Sequence, residues 1–132
     1  MAAAACVVAA AILAGCGSSD SSSGKPAVCS SVSDLKTSVT DLKNVNIRTN
    51  GISAVGDQLS KIEQQLKTVK ADAAGQYSSQ TDALSKALTG LSSSVSTAKD
   101  NLNGGTLHAV ASSAGTVVTA GNNLISAVSS TC

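Results

Sequence analysis

From residue 31 onward the apolar positions recur at alternating steps of three and four. Val32, Leu35, Val39 and Leu42 form the first run. Ile52, Val55, Leu59, Ile62, Leu66, Val69 and Ala73 form the second, Leu84, Leu88, Leu91, Val95, Ala98 and Leu102 the third. Leu107, Val110, Ala114, Val117, Gly121, Leu124 and Val128 form the fourth. Such spacing lines one stripe of a helix and makes the seam of left-handed bundles. Period-two alternation, the mark of a strand, is confined to Val45 and Ile47. Punctuation supports four helices, near residues 31–44, 52–74, 79–102 and 106–130. Ser31 with Asp34, Ser79 with Asp82, and Thr106 are candidate caps, and Gly75 and Asn103-Gly104-Gly105 are breaks. Residues 44–51 read as a connection. Short connections favour antiparallel neighbours, so the expected fold is all-α, an antiparallel up-down four-helix bundle with a short first helix.

The N-terminal part has a different pattern. Residues 2–15, AAAACVVAAAILAG, carry no charge. A membrane-spanning helix needs about 20 apolar residues, so this stretch suits the apolar region of a secretory signal instead. It ends in Leu13-Ala14-Gly15-Cys16, which resembles the lipobox of bacterial lipoproteins. That resemblance implies a diacylglyceryl group on Cys16, cleavage before it, and anchoring by more than one acyl chain. Residues 1–15 lack the Lys or Arg with which signals open, and a start site upstream of Met1 accounts for that. Gly17 to Val28, GSSDSSSGKPAV, is Ser- and Gly-rich and reads as a flexible tether reaching roughly 20 Å. The expected organisation is a signal at 1–15, a disordered lipidated tether at 16–28, and a helical domain at 29–132.

Four cysteines fit this plan. Cys6 leaves with the signal and Cys16 takes lipid. Cys29 and Cys132 bracket the domain, and exported proteins keep disulfides. One intramolecular Cys29–Cys132 bridge is the simplest pairing; two free thiols or a bridge between two copies are the alternatives. In four antiparallel helices the first start and the last end share one end of the bundle, so topology and cysteine placement agree independently. The bridge would close a loop of about 100 residues, worth about 4.7 kcal/mol in the chain-entropy model.

Composition narrows the function classes. The chain has 132 residues, a net charge of +1, one Tyr, one His, one Glu, and no Trp or Phe. It offers neither the basic groove nor the stacking platforms that nucleic acids need. One His and one Glu are little material for acid–base catalysis. No phosphate-binding loop, G-x-S-x-G or H-E-x-x-H is present, and two Cys with His108 have no metal-ligand spacing. We therefore expect no enzyme activity, cofactor or metal. Lys61, Lys67, Lys70, Asp57, Glu63 and Asp72 flank the second seam as a solvated face. His108 reads as an exposed residue opening the fourth helix, and Tyr77 as a lid on one end of the core.

The fourth helix is unusual. Residues 101–132 contain no Asp, Glu, Lys or Arg. Ala111 and Gly115, four apart, would permit close helix approach. One reading tucks this helix among its neighbours with Ser and Thr on its exposed edge. The other makes Ala111, Gly115, Val118 and Asn122 an interaction face. Ser and Thr density argues against a membrane span.

The whole chain resembles small actinobacterial cell-envelope lipoproteins. The resemblance rests on the lipobox, on Cys29-Ser30-Ser31-Val32-Ser33-Asp34-Leu35-Lys36 opening the domain, on Leu42-Lys43-Asn44-Val45-Asn46, and on the terminal Cys132. It implies an address on the outer face of the cytoplasmic membrane and a helical fold, and no assigned activity. Two functions follow as expectations. The first is a lipid-anchored, non-catalytic binding or scaffold module with an envelope protein as partner. The alternative is a carrier of lipid or a small hydrophobic ligand, held in a gap between slender helices.

Overall fold

The computed structural model describes residues 26–132, which form four helices: α1 (Ala27–Asn44), α2 (Ile47–Ala73), α3 (Ser78–Asp100) and α4 (Gly104–Ser129). The expected signal, Cys16 and most of the stretch read as tether lie outside the described residues. Each helix packs against two others, giving the cycle α1, α2, α3, α4 and back to α1. Paired side chains set the directions. Ser31, near the start of α1, donates to the Asp72 carboxylate near the end of α2. Lys70 on α2 lies 3.5 Å from Asp82 on α3, and Ser94 on α3 bonds Ser113 on α4 at 2.8 Å. The bundle is antiparallel and all-α, and α1, with 18 residues, is its shortest helix.

The core is the set of stripes read from the spacing. Leu35, Ile62, Leu84, Leu91 and Leu124 are its largest fully buried side chains. Valines fill the rest, among them Val55, Val69, Val110, Val117 and Val128. Each buried aliphatic side chain contributes about 1.5–3 kcal/mol before ordering costs. Ala87, Ala98 and Ala120 are buried as well, and their small size lets α3 and α4 pack closely.

The helix ends depart from expectation in instructive ways. α1 starts at Ala27, inside the stretch read as tether, because Val28 continues the Val32–Leu35 stripe and is buried. Pro26, at φ −54°, ψ 145°, stands in an extended conformation just before the helix. Ser31 is therefore not a cap; its hydroxyl serves Asp72 and the Ala27 carbonyl instead. The connection after α1 shrinks to Val45 and Asn46. The Asn46 side chain accepts from the Arg48 and Thr49 amides at 3.1 and 3.3 Å and starts a single helical turn. Gly51, at φ 76°, ψ 172°, breaks that turn from the long run that begins at Ile52.

α2 ends with Ala74, not Gly75, in the left-handed conformation at φ 49°; Gly75 follows at φ 87°. Tyr77 precedes α3 at φ 60°, so Ser79 lies within the helix and caps nothing. α3 stops at Asp100. Leu102, assigned to its stripe by spacing, stands in the loop and is 66% exposed. α4 opens two residues early, at Gly104. Asn103 and Thr106 form a reciprocal capping box with bonds of 2.9 and 3.0 Å, so Thr106 supports the cap from inside the helix.

Candidate functional site

One end of the bundle carries the chain entry at Pro26, the α2–α3 turn and the C-terminus. There the Cys29 and Cys132 sulfurs stand at disulfide-bonding distance, with Cα atoms 5.8 Å apart. The Tyr77 hydroxyl bonds Thr131 at the same end, and its half-buried ring packs on the core.

The opposite end is less completely filled. α1 ends at Asn44 while α4 continues past it, and Gly51 turns residues 47–50 away from the axis of α2. Across from this corner α4 presents Ala111 and Gly115, which add almost no bulk. Nothing lies within 4 Å of where a Cβ on Gly115 would stand. The result is a trough of about 320 Å³ between Leu42, Val45, Ile47 and Val55 on one side and Ala111, Ala114, Gly115 and Val118 on the other. Lys43 is its single charged lining residue. The trough continues over Val45, Ile47 and Ala111 into an outer hollow of about 610 Å³. That hollow is polar on its rim, with Asn44, Asn46, Arg48 and His108. No carboxylate lines either hollow.

The structure thus brings Ala111, Gly115 and Val118 into one groove wall. Asn122 does not join them; it is exposed further along α4. Gly115 is also not the point of close helix approach. That role falls to Gly121, where a Cβ would meet Val39 Cγ2 at 2.8 Å. The uncharged outer edge of α4 satisfies its own hydroxyls: Thr116 donates to the Ser112 carbonyl at 3.2 Å and Thr119 to that of Gly115 at 3.0 Å. His108 is exposed beside the outer hollow. The six charges flanking the second seam are exposed, and two of them have partners: Asp72 accepts from Ser31, and Lys70 faces Asp82.

Sequence reasoning missed Arg48, Val45 and Ile47 as site residues, since they fell in a segment read as a plain connection. The available signal was Asn46, a capping residue whose side-chain oxygen accepts from the next turn, five residues before a glycine. Among the described residues no helix is long and apolar enough to cross a membrane, and no three His, Cys, Asp or Glu side chains gather as metal ligands. Comparison with known proteins finds no matching family model, no matching curated protein and no matching solved structure.

Proposed function

We propose that the protein is a lipid-anchored, non-catalytic helical binding module on the outer face of the bacterial cytoplasmic membrane, and that the groove at the α1–α2 corner is its working surface. The observation that carries this reading is the placement of two features at opposite ends. The segment from Cys16 joins the bundle at Pro26, and the groove lies at the other end of α4. A helix of 26 residues is about 39 Å long, so an anchor at Cys16 would hold the groove outward from the membrane. The lining is aliphatic and amide-rich, and His108 has neither an acid nor a nucleophile beside it in that lining, which favours binding over chemistry.

The test is expression in a lipoprotein-processing bacterium fed an alkynyl fatty acid. The expected product starts at Cys16, carries the label and fractionates with the membrane; a Cys16→Ala chain loses both. An unprocessed, unlabelled chain would sink the anchored reading.

The carrier alternative takes a different form from the one the spacing suggested. A gap along the Ala and Gly positions of α4 is closed at Gly121 by Val39. Between α1 and α4, space for a chain is found towards the far end, at Gly115.

A further inference from the structure

We propose that the groove binds a single-chain fatty-acid carboxylate, its chain along the Ala111–Gly115 trough and its carboxylate at the Lys43 and Arg48 rim. This rests on the reading of the groove as the working surface. Three observations converge on that ligand class. The trough is walled by aliphatic side chains and by a glycine with open space above it, and apolar burial there favours methylenes without demanding a shape. No aromatic ring lines it: Tyr77 is at the other end, so flat ring ligands have no stacking partner. The charge at the mouth has one sign. Lys43 and Arg48 form no ion pair among the described residues, and His108 stands on the same rim with a ring N–H to offer. An acyl chain with an anionic head matches a trough that is apolar inside and cationic outside. The volume of about 320 Å³ lies at the lower end of small-ligand sites, which run from about 300 to 1,000 Å³.

The experiment titrates cis-parinaric acid, a fluorescent fatty acid, into the full chain carrying Cys16→Ser, so that no anchor acyl chain competes. The absence of Trp leaves the emission free of protein background. Saturable binding, displaced by dodecanoate, is expected. Gly115→Leu places a side chain in the trough from an exposed position and should weaken binding by about tenfold or more while the helical circular dichroism is kept. Lys43→Gln with Arg48→Gln should weaken dodecanoate by about fivefold and leave competition by dodecanol unchanged. Absence of saturable binding, or binding that Gly115→Leu leaves intact, would overturn the proposal. So would equal competition by dodecanol and dodecanoate. The labelling of Cys16 is read separately. A labelled protein that binds no fatty acid removes the ligand and keeps the anchor; an unlabelled one that binds removes the anchor and keeps the ligand.

Discussion

Val39 occupies the space that a side chain on Gly121 would need. A Cβ built there would stand 2.8 Å from Val39 Cγ2 and 3.3 Å from Cγ1. Both residues are buried, and a β-branched side chain in a helix has one strongly preferred rotamer, so Val39 cannot swing aside. Gly121→Ala should therefore destabilise the bundle by about 1–3 kcal/mol despite alanine's better helix propensity. Adding Val39→Ala should recover part of that loss. A double-mutant cycle in urea measures the coupling, and strictly additive effects would show that the two residues do not compete for this space.

Gly115 should behave in the opposite way. It sits in the interior of α4, is exposed, and has open space where a Cβ would go. Gly115→Ala should raise stability by up to about 1 kcal/mol, the difference in helix propensity. Thermal unfolding followed at 222 nm checks the sign. A lower midpoint would mean that the space above Gly115 is occupied.

Gly51 has a third role. Its backbone, at φ 76°, ψ 172°, lies in a region that is essentially reserved for glycine. Gly51→Ala should cost about 1–3 kcal/mol, although nothing lies within 4 Å of its Cβ position. The substitution also probes the groove, because Gly51 sets the angle at which Val45 and Ile47 face α4. Urea unfolding gives the cost. An unchanged midpoint would mean that the break before Ile52 is not required.

These three glycines show which features the spacing carried and which it did not. The stripes through Leu35, Ile62, Leu91 and Leu124 were legible because burial on a helix imposes a period of 3.6 residues on any chain. The pairing of Cys29 with Cys132 followed from counting antiparallel helices. Which α4 glycine meets α1 depends on the rotation of two helices about their axes, and two positions six residues apart lie in different directions around one helix. Ala111–Gly115 thus looked like the close approach, and Gly121 is. Leu102 was misplaced for a similar reason: a periodic pattern does not show that the backbone has left the helix at Asp100. One wall of the groove, Ala111, Gly115 and Val118, was legible as small and apolar positions of an uncharged helix; the other wall was not, because it arises from an ending, that of α1 at Asn44, and from a bend at Gly51. Neither can be read from the apolar side chains that line the trough.

Gln58 and Gln65 lie seven apart on α2, and each has a buried side-chain carbonyl oxygen without a hydrogen-bond partner among the described residues. The antiparallel register that pairs Ser31 with Asp72 sets buried Ser38 level with Gln65. An unsatisfied buried acceptor costs about 1–3 kcal/mol. Gln65→Met keeps the shape and removes the acceptor, so it should stabilise the bundle by about 1 kcal/mol. A raised urea midpoint with an unchanged m-value is the expected result. A loss of stability would show that the amide has a partner, a buried water included.

The Cys29–Cys132 pair is 103 residues apart in sequence, nearly the full length of the bundle. Bridging it limits the unfolded chain more than the folded one, by about 4.7 kcal/mol at most in the chain-entropy model. The folded end does not depend on the bridge alone, since Ser31–Asp72 ties α1 to α2 there and Tyr77–Thr131 ties the α2–α3 turn to the C-terminal residues. A Cys29→Ser, Cys132→Ser chain should therefore fold with the same helix content and unfold at a markedly lower urea concentration. Its m-value should rise, because the unbridged chain exposes more surface on unfolding. Reductant should move the wild-type curve onto that of the variant and leave the variant unmoved. A wild-type midpoint insensitive to reductant, with thiols shown to be free by alkylation and mass, would mean that the core of leucines and valines holds the bundle without the bridge.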